Sequence, residues 1–219
     1  QCHEMLGQFD EQLAANQRVL RQNHESLAAR VGAAAALAAS GKPDAALAEY
    51  ESVANSLGAE RTATMPQVWA PLLQLRIGQQ TKLPPAQRDW SRAEDLLSTL
   101  EESPAISSAQ LATLRADLLV RQDDPKAAIG VLRSAVEQDP TNAQTRAALA
   151  LMELRETGPE AARDILARTP ADKRDDPGLQ LVRVQVAARE PAERCRAELA
   201  ALETDAARLP VEQAVRDRK

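Results

Sequence analysis

Residues 109–142 read AQLATLRADLLVRQDDPKAAIGVLRSAVEQDPTN, which is the clearest repeat unit of the chain. It carries two apolar series with a spacing of three or four residues, which places each series on one face of a helix. The first series is Ala112, Ala116 and Leu119, and the second is Ala128, Leu132 and Ala135. Proline follows the break at 122–124 and stands again at Pro140, where its missing N–H does little harm to a helix. The stretch therefore predicts a helix, a tight turn and a second helix.

The same pattern recurs along the chain with a period of 34 residues. Near the N-terminus, Gly7-Gln8-Phe9-Asp10-Glu11-Gln12-Leu13 and Gly41-Lys42-Pro43-Asp44-Ala45-Ala46-Leu47 share Gly, Asp and Leu at that spacing. The downstream pairs are Ala128 with Ala162, Leu132 with Leu166, and Pro125 with Pro159. Two independent matches at one period predict stacked helix pairs, in which each unit buries its apolar face against the next.

Composition supports helices and narrows the classes of partner. Hydrophobic residues make up 44% of the chain but aromatic residues only 2%, whereas a sheet protein is usually rich in aromatic and β-branched residues. The net charge is −5, with acidic and basic residues interspersed, which argues against a nucleic acid partner. No stretch reaches the roughly 18 apolar residues of a membrane span. We therefore expect no nucleic acid partner and no membrane insertion within this segment.

These units resemble the tetratricopeptide repeat, a 34-residue helix pair with small residues where its helices cross and larger apolar residues between them. In residues 109–142 the small positions are Ala116 and Ala128, and the large ones are Leu119 and Leu132. The other matches are Ala34, Leu37, Gly41, Ala46 and Tyr50 in residues 27–60, and Leu149, Ala150, Ala162 and Leu166 in residues 143–176. The resemblance implies an all-α fold, a right-handed α-α superhelix that forms a TPR-like solenoid of antiparallel helix pairs.

We expect a single solenoid over residues 1–219, with one interrupted repeat. Its predicted parts are a partial repeat 1–26, repeats at about 27–60, 61–108, 109–142, 143–175 and 176–209, and a tail at 210–219. In repeat 61–108 the surplus residues fall near 78–88, a polar, proline-bearing connection. Its apolar residues, with Trp69 in the first helix and Trp90 in the second, are expected in the core. In the last repeat the period slips by about one residue.

The beginning of the chain falls inside a repeat. Gly7 aligns with Gly41, in the turn between two helices, so the chain would begin within a first helix. Half a repeat cannot bury its own apolar face, so we favour a fragment of a longer array over a short N-terminal cap.

No arrangement of residues in the sequence indicates catalysis. The histidines, His3 and His24, have no partner at metal-ligand spacing. The two cysteines, Cys2 and Cys195, lie in opposite terminal repeats, too far apart for a disulfide. The sequence also lacks a glycine-rich phosphate loop and a nucleophile elbow. We expect a protein that is not an enzyme, with no catalytic residue, no metal and no cofactor.

The resemblance places the candidate binding surface on the first helix of each repeat, which lines a concave groove in this family. The corresponding residues are Ala28, Val31, Ala35, Gln67, Gln74, Gln110, Thr113, Asp117, Arg121, Gln144, Leu151 and Arg155. The N-terminal half of this set lacks the Lys, Arg and Asn cluster with which some members clamp a peptide's terminal carboxylate. It suits an apolar helix or an extended peptide, and Arg121 and Arg155 add charge farther along.

Three functions stay open for such a solenoid. The favoured one is a protein–protein interaction scaffold that binds a peptide or protein partner through the concave groove. A second is a structural spacer that packs on other domains of a larger protein. A third is an accessory arm of an enzyme or secretion complex. The sequence identifies neither the partner nor the compartment.

Overall fold

The chain folds into helices that pack with their neighbours in sequence. The computed structural model describes residues 2–189 and the single position Arg196, with side chains described from Gln8 onward. Within those residues it contains eleven α-helices and no β-strand, so the predicted all-α class is confirmed there. The chain divides into two compact units, residues 1–107 and 108–219. The predicted second helix of the last repeat, with Cys195, and the tail at 210–219 lie outside the described residues.

Unit 1 (residues 1–107) contains six of these helices. Their bounds are α1 Cys2–Gln22, α2 Leu27–Ala39, α3 Pro43–Leu57, α4 Ala59–Ala63, α5 Pro66–Thr81 and α6 Ser91–Glu101. Helix α2 packs against both α1 and α3, and α5 packs against α3 and α6. The predicted core residues Ala34, Ala46 and Tyr50 are buried. A Cβ atom added at Gly32 would lie only 2.7 Å from Asn16 Oδ1. Helices α1 and α2 therefore approach each other closely at Gly32, which has no side chain.

The predicted turn at Gly7 is wrong, because α1 runs through this residue without a break. The aligned Gly41 does lie in a turn, with a φ of 73°. Pro43 begins α3 two residues after Gly41, whereas Phe9 stands two residues after Gly7. Glycine permits a turn but does not force one. Only Gly41 is followed by a proline, Pro43, which has no N–H to continue the hydrogen bonds of α2.

The interrupted repeat has the two predicted helices, α5 and α6. Trp69 is buried in α5 as expected, but Trp90 immediately precedes α6 and is half-buried, so its predicted core position is wrong. The connection is also shorter than predicted, because α5 continues to Thr81. Within the connection, the backbone N–H of Asp89 donates to Gln80 Oε1 at 2.8 Å. The loop is therefore anchored at its end.

We expect limited trypsin digestion of the native protein to cut first in this connection. Residues 81–87 are all exposed, and Lys82 and Arg88 flank its central segment. The Lys82→Gln variant should lose the first cut at 82 and keep the cut at 88, as read by mass spectrometry of the fragments. Initial cleavage within 109–142 would show that the weakest segment lies elsewhere.

Unit 2 (residues 108–219) contains five described helices that follow the repeat regularly. Their bounds are α7 Ser108–Arg121, α8 Pro125–Gln138, α9 Ala143–Glu156, α10 Pro159–Ala167 and α11 Pro177–Ala187. Helices α8 and α10 begin 34 residues apart, and so do α9 and α11 (159 − 125 and 177 − 143). The predicted slip of one residue is therefore wrong as far as α11, and the last unit begins at Pro177.

Two clusters form the core of unit 2. Ala116 and Ala128, the predicted crossing of α7 and α8, lie in one cluster with Leu132 and Leu149. The second cluster joins α9, α10 and α11; its buried residues are Ala150, Leu154, Ala162, Leu166, Leu179, Val182 and Val186. Side-chain caps begin the helices: Asp124 accepts from the N–H of Ala127 at 3.0 Å. These clusters fix the first helices α7, α9 and α11, whose other faces stay accessible.

Candidate functional site

Unit 2 contains a cavity of about 400 Å³ between its first helices. The lining residues come from α7, α8, α9 and α11 and from the residue two positions after α11. They are Thr113, Ala116, Asp117, Leu132, Ala148, Leu151, Met152, Leu154, Arg155, Gln185 and Arg189. Aliphatic side chains form one part of this lining, and polar and charged side chains form the other.

Four residues of the predicted groove line this cavity: Thr113, Asp117, Leu151 and Arg155. They belong to α7 and α9, and all are exposed or half-buried. The other predicted residues of unit 2, which do not line it, are Gln110, Arg121 and Gln144, all exposed on the same two helices. The structure thus brings part of the predicted surface together around one concavity.

The 34-residue period explains why these side chains meet. Asp117, Leu151 and Gln185 are 34 residues apart and occupy the same place on three successive first helices. Arg155 and Arg189 share another place at the same spacing. The sequence pattern does not identify Gln185 and Arg189, because a predicted slip of about one residue obscures the phase of the last repeat. Extending the period through residue 189 would have found both.

Two charged side chains that line the cavity, Asp117 and Arg155, form exposed ion pairs. Arg121 Nε lies 3.7 Å from Asp117 Oδ1, and Arg155 Nε lies 2.7 Å from Glu156 Oε1. Exposed pairs of this kind contribute about 0–1 kcal/mol, so they exchange partners at little cost. Leu151 is apolar and 37% exposed beside them. The arrangement offers apolar contact and charged hydrogen-bond donors, which suits binding.

The predicted groove residues of unit 1 lie on α2 and α5. Ala28, Ala35, Gln67 and Gln74 are exposed there, and Val31 is half-buried. A cavity of about 500 Å³ in this unit contains none of them. It is lined by Glu25, Leu27, Arg30, Ser56, Leu57 and Arg61. Accessible side chains are therefore present at the predicted positions, but they do not line this cavity.

The buried charged groups of unit 2 have structural partners. Glu153 accepts from Arg133 Nη2 at 2.7 Å and from the Thr157 hydroxyl at 2.8 Å. Arg146 donates to the carbonyl oxygens of Pro140 and Ile165 at 2.8 and 3.2 Å. Because Glu153 and Arg146 bond to groups of their own fold, these contacts stabilise the described part of unit 2.

Two further kinds of site are absent from the described part of the chain. No three His, Cys, Asp or Glu side chains there lie together as metal ligands would. His24 follows α1, and its carbonyl oxygen accepts a hydrogen bond from Arg30 Nε at 3.2 Å. Among the described helices, none combines the length and apolar character needed to cross a bilayer. The side chains of Cys2 and His3 lie outside the described set.

Three comparisons with known proteins give a family match and a similar structure. No curated protein matches the sequence. Among solved structures, one similar chain is YrrB, titled "a TPR protein with an unusual peptide-binding site". It is 17% identical, the match covers 86% of this chain and 90% of that chain, and the TM-score is 0.47. Residues 119–189 match the sequence profile of the family described as Tetratricopeptide repeat. The matched stretch runs from the end of α7 through α11, so the resemblance to this family is supported for that part of unit 2.

Proposed function

We propose that unit 2 binds a segment of a partner protein at the cavity between α7, α9 and α11. A protein-interaction scaffold is the general class that its tetratricopeptide repeats support. One observation carries the finer proposal: side chains at matching repeat positions of three first helices meet around a cavity of about 400 Å³. The spacer and accessory-arm alternatives need no such accessible concavity.

The lining favours an apolar anchor from the partner. Ala148, Leu151 and Met152 offer aliphatic surface, and fully burying one Leu-sized side chain contributes about 1.5–3 kcal/mol. Met152 is unbranched and can adapt its shape to different side chains. The volume of about 400 Å³ lies within the range of about 300–1,000 Å³ that is typical of ligand pockets. A partner segment could therefore insert one or two side chains there.

The Leu151→Arg variant is expected to weaken peptide binding by about tenfold or more, because it places a charge in the apolar part of the cavity. Peptides selected on the full chain from a random display library serve as probes, and fluorescence anisotropy measures their Kd. The matched control is Ser134→Arg, at an exposed position of α8 that does not line the cavity. Thermal melting of both variants checks the fold.

Two results would count against this proposal. Equal affinity of the selected peptides for Leu151→Arg and the unchanged chain would place binding elsewhere. A large drop in Tm for Leu151→Arg would show that this face packs within the protein, as a spacer requires. Ala35→Arg, in the same assay, tests whether the predicted surface of unit 1 also contributes. Lost binding with an unchanged Tm would support a recognition surface on α2.

A further inference from the structure

An arginine recurs in unit 2 at the period of the repeat. Arg121, Arg155 and Arg189 are each 34 residues from the next. Arg121 ends α7, Arg155 stands one residue before the end of α9, and Arg189 stands two residues after the end of α11. Arg155 and Arg189 line the cavity, and Arg121 pairs with Asp117, which also lines it. Ala39 stands at the corresponding position of repeat 27–60. Repeat 27–60 therefore lacks this arginine.

The charged groups of the two ion pairs, together with Arg189, sum to a positive charge. Three arginines stand against two carboxylates, Asp117 and Glu156, which gives a sum of 3 − 2 = +1 for these five groups. Both ion pairs are exposed, with 51% and 56% of the side chains of Arg121 and Arg155 accessible. A partner's carboxylate can therefore displace them at little cost. A guanidinium presents a planar set of donors that binds a carboxylate through two hydrogen bonds.

Resting on the proposed function, we infer that the segment bound by unit 2 is acidic, with an apolar side chain in the cavity and flanking carboxylates on Arg155 and Arg189. The apolar lining and the arginines lie together, so one short segment can use both. A nucleic acid strand fits less well. None of the eleven lining residues is aromatic, so bases have no stacking platform.

The test is an unbiased peptide selection on three full-length chains. One is the unchanged chain, one carries Arg155→Glu and Arg189→Glu, and the control carries Lys126→Glu and Arg168→Glu. The control makes the same charge change at two exposed positions that do not line the cavity. We expect Asp and Glu to be enriched beside an apolar residue on the unchanged chain and on the control, but not on the cavity variant.

The best acidic peptide then gives the size of the effect. Its Kd should rise about tenfold or more on the cavity variant, and also when its own Glu residues become Gln, with little change on the control. Binding should also weaken as salt is added. Thermal melting confirms that all chains are folded.

Other outcomes separate this inference from the proposed function. If selected peptides depend on Leu151 but show no acidic enrichment, the acidic segment is wrong and the proposed function stands. If no peptide depends on Leu151, the proposed function fails and this inference fails with it. Displacement of the acidic peptide by a thymidine oligonucleotide, with the same dependence on Arg155 and Arg189, would instead identify a nucleic acid site.

Discussion

The Ala128→Leu variant is expected to lower the free energy of unfolding by about 1–3 kcal/mol. Ala128 has no exposed surface and lies in one buried cluster with Ala116, Leu132 and Leu149. The core is close-packed, so three added carbon atoms must push α7 and α8 apart or force side chains out of their preferred rotamers. A small residue at this place is a consequence of the close crossing of the two helices.

Urea denaturation followed by circular dichroism measures this loss as a lower midpoint. The matched control is Ala167→Leu, because Ala167 is exposed at the end of α10 and has room for a larger side chain. We expect the control midpoint to stay close to that of the unchanged chain. An unchanged midpoint for Ala128→Leu would mean that the crossing is not tightly packed, and that the small residue has another cause.

The sequence predicts the helix pairs well because proline marks their starts. Pro43, Pro125 and Pro159 each begin a helix, as the spacing predicts. At this position the missing N–H leaves no bond unmade, and the fixed φ already suits a helix. The turn predicted at Gly7 does not form, because a glycine alone leaves the backbone free to continue as helix. The 34-residue period therefore predicts a turn reliably where a glycine is followed by a proline. It predicts a turn poorly where the glycine stands alone.

The site is only partly predictable for a different reason. Leu151 and Arg155 could be found from their positions on a first helix, and Gln185 required the correct phase of the next repeat. Leu132 lies on a second helix and is predicted in the core from its spacing, and in the structure it is buried and also lines the cavity. A sequence pattern states which face of a helix is buried. It does not state how deep the space beside that face will be.

The sequence pattern also does not predict that Arg146 is buried. Arg146 stands on α9 and is 4% exposed, with its guanidinium bonded to the carbonyl oxygens of Pro140 and Ile165. The Ile165 carbonyl is in the last turn of α10, where helix carbonyls lack an intrahelical donor and a positive charge is favourable. Arg146 thus joins α9 to the end of α10 and to the turn before α9. A period of small and large residues carries no information about this contact.

The Arg146→Met variant is expected to lose about 1.5–3 kcal/mol of unfolding free energy, because it removes two charged hydrogen bonds and regains part of their contribution as relieved desolvation. Two effects compete. Burial lowers the pKa of the Arg146 guanidinium, and Arg168 adds repulsion, so methionine relieves a desolvation cost. However, methionine leaves two carbonyl oxygens without their donor, and we expect this loss to dominate. The midpoint of urea denaturation shows which of the two effects is larger. The control is Arg168→Met, because Arg168 is exposed and its loss removes only its repulsion of Arg146. A stability gain for Arg146→Met would mean that desolvation outweighs both hydrogen bonds.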